Sequence, residues 1–307
     1  MSARVLISCH DCFPSKMNEI SVKAFAKLNL ALDVLSKLED GYHAMRMVMQ
    51  SVGLCDDVQI VLREDGVIRA STDDPQLPTD DGNIVVRAAR LFFQQTGQAQ
   101  LGANIHLTKR IPVCAGMGGG SSDGAAVLRG LNQLTGAGLS RQQLQDLGFQ
   151  IGADLPFCIA GGTQLAEGKG ERLTVLPAMP ACDVVICKPD SAIATPMLFR
   201  TIDGRSLRCR PDIDGMITVL TAGNLSGIAS LLSNVFTEVL PEEFTEIHRI
   251  RRKLLDAGAM GAVMTGTGSA VFGLFDSTTA AQRAYMQLSM QYPFCCHTVV
   301  TPEIQNF

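Results

Sequence analysis

A glycine-rich segment stands directly before an apolar helical pattern at residues 113–134, which read VCAGMGGGSSDGAAVLRGLNQL. Glycine permits positive φ angles and close backbone approach, so that successive N–H groups can converge on one anion. The helix that follows adds about +0.5 elementary charge at its N-terminus. The segment therefore predicts a phosphate-binding loop, followed by a helix that Ser121, Ser122 and Asp123 cap and that Gly136 ends.

Other known motifs fit this segment less well. Walker A needs a lysine after the last glycine, the GxGxxG pattern fails at its last position, and the HRD and DFG motifs of protein kinases are absent. Residues 120–124 do match GxSxG, the nucleophile elbow of hydrolases, with Ser122 as nucleophile and His248 or His297 as base. An elbow follows a strand directly, whereas Pro112 and the loop glycines intervene here. A serine hydrolase and a purely structural glycine turn remain as alternatives.

The chain combines strand and helix patterns without a regular alternation of the two. From Glu19 to Val34 apolar residues occupy every second position, which predicts a long strand or hairpin with Lys27 and Asn29 together on its polar face. A capping box predicts a helix that starts at Ser140. The mixture of patterns favours an α+β fold over a doubly wound sheet.

The domain break is expected near residues 160–180. Residues 1–18 are interpreted as a flexible leader, 19–165 as an N-terminal domain and 166–307 as a C-terminal domain. Residues 257–275 carry no charge, but their five glycines predict a loop between buried elements, so that no membrane span is expected.

Composition narrows the range of partners. The 307 residues carry a formal net charge of -4 and no long basic stripe, which argues against nucleic acid. The basic run RIRRK at 249–253 is interpreted as the solvated face of a helix. With no convincing secretory signal, we expect a cytoplasmic protein, either a monomer or a weak homodimer.

Ten cysteines raise the hypothesis of disulfides or zinc, but their spacing gives little support to either. Cys9 and Cys12 form a CxxC that no second CxxC follows, and Cys295 and Cys296 are adjacent. Buried reduced thiols are the expected state.

Three ordered motifs resemble those of the GHMP small-molecule kinases, which phosphorylate hydroxyls of galactose, homoserine, mevalonate and related compounds. They are the strand AKLNLALDV, the loop PVCAGMGGGSSDGAA and the late loop MTGTGSAVF. The segments DGYHAMRMVMQSVGLCDDV, DGNIVVRAA and GADLPFCIAGGTQLAEGKGERL are similar to one branch of this family. That branch implies ATP-dependent phosphorylation of the tertiary C2 hydroxyl of a small-molecule substrate, a methylerythritol that carries a CDP group, in non-mevalonate isoprenoid synthesis.

The resemblance implies a two-domain fold, with an N-terminal domain like domain 2 of ribosomal protein S5 and a ferredoxin-like C-terminal domain. It implies ATP as phosphate donor with Mg²⁺ bound to the nucleotide, although the sequence does not identify the metal ligands. Ser121 and Ser122 would donate from their side chains near the phosphates or the metal. The residues that match the nucleotide site are Asn83, Lys109, Pro112, Val113, Cys114, Ala115, Gly116, Met117, Gly118, Gly119, Gly120, Ser121 and Ser122.

The resemblance also places Lys27 and Asp154 at catalytic positions. Asp154 would accept the proton of the attacking hydroxyl, while Lys27 would keep that carboxylate ionised and offset charge on the γ-phosphate. Asn29 would orient the methylerythritol hydroxyls, and an aromatic sandwich would hold the pyrimidine. The residues that match the cytidine site are Tyr42, His43, Thr195 and Phe199.

Some positions depart from the family pattern. Gly124 stands where alanine is common, which is expected to loosen the loop. Asn234 is not followed by the frequent aspartate, so substrate contacts there stay open. Another GHMP kinase with a different alcohol is the nearest alternative. A non-catalytic binding protein is disfavoured because both Lys27 and Asp154 are present.

Overall fold

The computed structural model describes residues 18–205, 207–302 and 304, so Cys9 and Cys12 lie outside the described residues, as does nearly all of the predicted leader. Its strands form two sheets. The first contains β1 (Glu19–Lys37), β2 (His43–Arg63), β3 (Ile68–Thr72), β4 (Gly102–Thr108), β5 (Thr163–Gly168), β6 (Arg172–Val175) and β8 (Ser233–Asn234). The second, in the order β11-β7-β10-β9, contains β7 (Asp183–Lys188), β9 (Gly261–Met264), β10 (Val271–Phe275) and β11 (Phe294–Val299).

Helices pack against both sheets, and the α+β class predicted from the sequence is confirmed. The α-helices are α1 (Ile84–Gln95), α2 (Gly119–Thr135), α3 (Arg141–Phe149), α4 (Leu155–Ala160), α5 (Thr195–Asp203), α6 (Ile213–Thr221), α7 (Leu225–Ser230), α8 (Thr245–Asp256) and α9 (Thr278–Ser289). The capping box at Ser140 and Gln143 is present at the start of α3. The sequence did not predict α4, which begins directly after Asp154.

Strand β1 differs from the prediction of a single apolar face. Its pairing with β2 shifts register between Phe25 and Lys27 and again between Asn29 and Ala31. Each shift is a β-bulge or irregularity of the kind that re-aims side chains. The apolar residues of β1 therefore divide between two cores: Ala24, Leu32 and Val34 lie in one, and Ala26, Leu28 and Leu30 lie in the other. Because both faces are covered, the polar residues Lys27 and Asn29 are buried as well.

The start of α2 also corrects the sequence prediction. The helix begins at Gly119, and its N-cap is Gly118 in the left-handed region with φ of 67°. As a glycine, the N-cap has no side chain that could make a capping hydrogen bond, and Ser121, Ser122 and Asp123 occupy the first two turns instead of the cap. The predicted end at Gly136 is confirmed. The N-terminal amides of α2 are therefore left for a ligand or solvent.

Gly124 has a packing role that the sequence did not reveal. It lies inside α2, where a Cβ would be 2.6 Å from Cγ2 of Ile84 and 3.1 Å from Cδ2 of Leu155. Such distances leave no room for a methyl group without movement of these neighbours. Glycine at this position thus allows α1 and α4 to pack closely on the helix that carries the loop.

Strand β6 of the first sheet ends at Val175 and β7 of the second sheet begins at Asp183, although β8 later returns to the first sheet. The domain break near residues 160–180 stays a prediction. The boundary between residues 165 and 166 falls inside β5 and stays a prediction. The uncharged segment 257–275 contains the β9–β10 hairpin. Among the described residues, no helix has both the length and the apolar character needed to cross a membrane.

Candidate active site

Two cavities lie side by side at the N-terminus of α2. The first has a volume of about 550 Å³ and the second about 620 Å³. Five residues line both cavities, namely Gly116, Gly118, Ser121, Thr195 and Thr267. The glycine-rich loop therefore forms the boundary between two neighbouring spaces, each large enough for a small organic ligand.

The first cavity has a wall of bare backbone. Gly116 and Gly118 have φ of 74° and 67°, and a Cβ at Gly116 would lie only 2.1 Å from the carbonyl oxygen of Thr265. This contact leaves no room for a side chain at position 116. The glycine-rich loop therefore packs directly against the late loop at Thr265. Of the residues predicted for the nucleotide site, Asn83, Lys109 and all of 112–121 line this cavity.

The side chains of Lys109 and Asn83 both bind other groups of the protein. The Lys109 ammonium contacts the carboxylates of Asp56 and Asp123, and all three side chains are largely buried. Asn83 caps α1, because its Oδ1 accepts from the N–H of Val85 at 3.1 Å. Asp56 also accepts from the N–H of Ile111 at 2.8 Å, so this carboxylate positions the chain that leads into the glycine-rich loop.

The buried cluster of Lys109, Asp56 and Asp123 predicts that the stability of the protein depends on pH. Burial, with the nearby charge of Asp56, raises the pKa of Asp123 to about 7. In the unfolded chain this carboxyl ionises near pH 4, whereas in the folded chain it keeps its proton until about pH 7. The free energy of unfolding therefore decreases as the pH rises from about 4 towards 7. We expect the free energy of unfolding of the wild type to fall by about 2–3 kcal/mol relative to Asp123→Asn between pH 5 and pH 8. Urea unfolding at both pH values measures the difference, and parallel pH curves for the two proteins would contradict it.

Ser122 requires a correction. Its side chain does not reach the first cavity, since the hydroxyl donates to the carbonyl oxygen of Phe25 at 2.6 Å and lies 3.3 Å from Sγ of Cys158. The residue is 1% exposed, so the prediction that its hydroxyl donates to phosphate is wrong. The hydrolase alternative fails for the same reason. One of its candidate bases, His297, instead contacts Asp183 at 2.6 Å.

Lys27 and Asp154, 127 positions apart in the chain, meet in the second cavity. The ammonium of Lys27 lies 3.8 Å from Oδ2 of Asp154, and the two side chains are 5% and 34% exposed. A Cβ at Gly118 would lie 3.1 Å from Cγ of Lys27 and 3.7 Å from Oδ2 of Asp154. The pair therefore sits directly beside the N-cap of α2, where the two cavities meet.

Asn29 holds Lys27 and the late loop in place. Its Oδ1 accepts from the ammonium of Lys27 at 2.8 Å and from the N–H of Gly266 at 3.0 Å, while its backbone N–H donates to Oγ1 of Thr265 at 3.0 Å. Asn234 anchors the same loop, because its Nδ2 donates to the carbonyl oxygens of Met264 and Gly266 at 2.8 Å each. Asn29 lines the second cavity but is fully buried, and its predicted contact with substrate hydroxyls stays a prediction.

Aromatic side chains line the far part of the second cavity. The rings of His43 and Phe199 stack with centroids 4.7 Å apart at 27°, and Phe236 packs edge-on against Phe199 at 5.0 Å. Tyr42 lines the same cavity and is 62% exposed. These contacts fix Phe199 and leave Tyr42 accessible, whereas the predicted ring sandwich around a pyrimidine stays a prediction.

The sequence did not predict the polar partners of two residues that line the cavities, His43 and Lys109. Nε2 of His43 contacts Asp203 at 2.6 Å, and Asp56 and Asp123 hold Lys109. Asp123 follows the serines of the glycine-rich loop and could have been considered from its position. His43 begins strand β2, whereas Asp203 ends helix α5, 160 positions further along the chain, and no local pattern could have paired them.

The family comparison agrees with this geometry. The model for the GHMP kinases N terminal domain matches residues 83–162, and the model for the GHMP kinases C terminal matches residues 216–293. The chain belongs to the GHMP kinase family, and the fold expected from the resemblance is confirmed.

Two relatives within this family carry the same name. The 4-diphosphocytidyl-2-C-methyl-D-erythritol kinase of Caldicellulosiruptor bescii is 42% identical over 271 residues, covering 88% of this chain and 94% of the relative. The protein of the same name from Lachnoclostridium phytofermentans is 44% identical, covering 88% of this chain and 93% of the relative.

Solved structures give the same result. A crystal structure of 4-(cytidine 5'-diphospho)-2C-methyl-D-erythritol kinase aligns with a TM-score of 0.76 and 30% identity, covering 92% of this chain and 99% of that chain. A homoserine kinase from Cytophaga hutchinsonii aligns with a TM-score of 0.73 at 20% identity, covering 96% of this chain and 98% of that chain, a similarity that concerns the fold alone.

Proposed function

We propose that this chain is an ATP-dependent kinase that phosphorylates the tertiary C2 hydroxyl of 4-diphosphocytidyl-2-C-methyl-D-erythritol. The observation that carries the proposal is the meeting of two cavities at one glycine-rich loop, with Lys27 and Asp154 at the junction. A nucleotide in the first cavity and an alcohol in the second would place donor and acceptor on opposite sides of that junction. The names of the relatives supply the identity of the alcohol.

The first cavity fits a nucleoside triphosphate. Its wall of glycines offers backbone N–H groups, and the uncapped start of α2 adds partial positive charge, the combination that favours phosphate. Ser121 lines both cavities, so its hydroxyl remains our candidate for a phosphate contact, whereas Ser122 is excluded. The adenine would lie towards Asn83 and Lys109.

We further propose that Mg²⁺ accompanies the nucleotide. Among the described residues, no group of three or more His, Cys, Asp or Glu side chains could hold a metal ion. This is compatible with Mg²⁺, which commonly binds substrate phosphates and waters through few protein ligands. The bound ion would neutralise charge that develops on the phosphates.

In the proposed reaction, Asp154 accepts the proton of the attacking hydroxyl through its carboxylate. Lys27 lies beside that carboxylate, and its hydrogen bond to Asn29 fixes the position of its ammonium. The positive charge of Lys27 would then stabilise the γ-phosphoryl group during transfer. Phosphoryl transfer requires mainly positioning and charge stabilisation, and a fixed ammonium beside the N-terminus of α2 supplies both.

A CDP group would occupy the aromatic end of the second cavity. Tyr42 offers an accessible ring, while Phe199 is held by His43 and Phe236. Flat aromatic faces suit a pyrimidine, and the polar edge of the base could be read by groups near His43. The hydroxyl of Thr195 lies 2.8 Å from that of Thr267, and both residues line both cavities. Thr195 would therefore lie between the two substrates.

The substrate assignment is tested by ADP release from ATP with a panel of alcohols. We expect turnover with the CDP-linked methylerythritol, and at least about a hundredfold lower kcat/KM with mevalonate, homoserine or galactose, because these compounds lack the group that would fill the aromatic end. Comparable kcat/KM for one of those alcohols would contradict the assignment and favour a different GHMP kinase.

A further inference from the structure

We propose that Lys169 is a positioning residue that holds the ring of Tyr42 in place for the nucleobase of the substrate. This inference rests on the proposed function, because it takes Tyr42 as a stacking residue for the CDP group. Lys169 lies within the family-like segment GADLPFCIAGGTQLAEGKGERL, but that resemblance implies no role for it.

Tyr42 needs a restraint that packing does not supply. Its backbone is fixed in the β1–β2 turn, where its N–H donates to Oδ1 of Asp40 at 3.1 Å and its carbonyl accepts from the N–H of Leu38 at 2.7 Å. The side chain, however, is 62% exposed. An exposed ring exchanges rapidly between rotamers unless another group holds it, and stacking on a base then costs conformational entropy.

Lys169 is placed to supply that restraint. Its ammonium lies 4.6 Å from the centroid of the Tyr42 ring, within the range of a cation–π interaction. The same ammonium is paired with the carboxylate of Asp40, which also accepts from the N–H of Tyr42. Lys169 therefore contacts both the ring and the residue that fixes its backbone.

The position of Lys169 is itself well defined. It lies in the turn between β5 and β6, flanked by Gly168 and Gly170 with φ of 72° and 120°. Its backbone N–H donates to Oε2 of Glu171 at 2.6 Å, and the N–H of Gly170 donates to the carbonyl oxygen of Glu167. The ion pair lowers the pKa of Asp40 and raises the pKa of Lys169, so both groups remain charged at neutral pH.

A kinetic comparison separates this role from a structural one. Lys169→Met should raise KM for the CDP-linked substrate about two- to fivefold, while kcat and KM for ATP stay unchanged, because the lost cation–π contact affects only the base-binding ring. Lys169→Arg should restore the wild-type KM, since a guanidinium also lies favourably over an aromatic face. Lys253→Met is the matched control, because Lys253 lies 4.9 Å from the centroid of Tyr292, which lines neither cavity.

A double-mutant cycle with Tyr42→Leu completes the test. If Lys169 acts through the ring, Lys169→Met should add no further increase in KM once Tyr42 is replaced. Additive effects would overturn the inference, because they would mean that Lys169 attracts the anionic substrate directly. An unchanged KM in Lys169→Met would also overturn it, provided that Tyr42→Leu raises KM. An unchanged KM in Tyr42→Leu would instead contradict the proposed CDP site itself.

Discussion

Replacing Asp154 with asparagine should lower kcat by about 10²–10⁴-fold, the usual contribution of a general base, while both KM values change little. The substitution keeps the shape of the side chain and removes its ability to accept a proton. Asp154 makes no capping hydrogen bond to α4 and is 34% exposed, so the folded state should lose little stability. ADP release under saturating ATP and CDP-linked alcohol measures the loss.

Asp146→Asn provides the matched control for this experiment. Asp146 is an exposed carboxylate on the neighbouring helix α3, where it accepts from Nε2 of Gln142 at 2.9 Å, and it lines neither cavity. We expect wild-type turnover in this variant. Undiminished kcat in Asp154→Asn would show that the carboxylate is not the base and would leave the alcohol to lose its proton elsewhere.

Gly116→Ala should reduce turnover more than a hundredfold, because a methyl group there would lie 2.1 Å from the carbonyl oxygen of Thr265. Either the glycine-rich loop or the late loop must then move away. Since Thr265 also binds Asn29, which in turn orients Lys27, the displacement should reach the reacting groups. Steady-state kinetics and the free energy of unfolding should be measured together, to separate the loss of activity from a loss of folded protein.

Gly97→Ala separates local backbone strain from contact between the loops. Gly97 follows α1 with φ of 68°, close to the value of Gly116, but a Cβ there would meet no atom of the described residues within 4 Å. The left-handed conformation alone should cost about 1–2 kcal/mol of stability and leave kcat unaltered. If Gly116→Ala behaved in the same way, the contact between the two loops would have no part in activity.

Local features of the site were predictable because they depend on neighbouring residues. The glycines of the loop indicated a backbone that no side chain covers, and the alternation around Lys27 and Asn29 placed these two residues together. The junction of Lys27 with Asp154 was expected only from the family resemblance, since nothing in the local sequence around Asp154 indicates its partner. The same resemblance led to the error at Ser122, because a motif match does not report which way a side chain points.

What could not be predicted depends on contacts between distant segments. The bulges in β1 arise where β2 pairs with it, and they divide its apolar residues between two cores. The anchoring of the late loop by Asn234 and the pairing of Asp56 with Lys109 likewise join residues that lie 30 and 53 positions apart. The packing role of Gly124 also depends on Ile84, a residue 40 positions earlier in the chain that lies against it.

Phosphorus-31 NMR of a reaction that contains the protein, ATP, Mg²⁺ and the CDP-linked methylerythritol tests the joint action of the two cavities most directly. The arrangement of Lys27 and Asp154 at the mouth of α2 predicts a new phosphate monoester resonance that grows in a one-to-one ratio with ADP. Formation of ADP and inorganic phosphate without a new monoester would contradict it, because water rather than an alcohol in the second cavity would then be the acceptor.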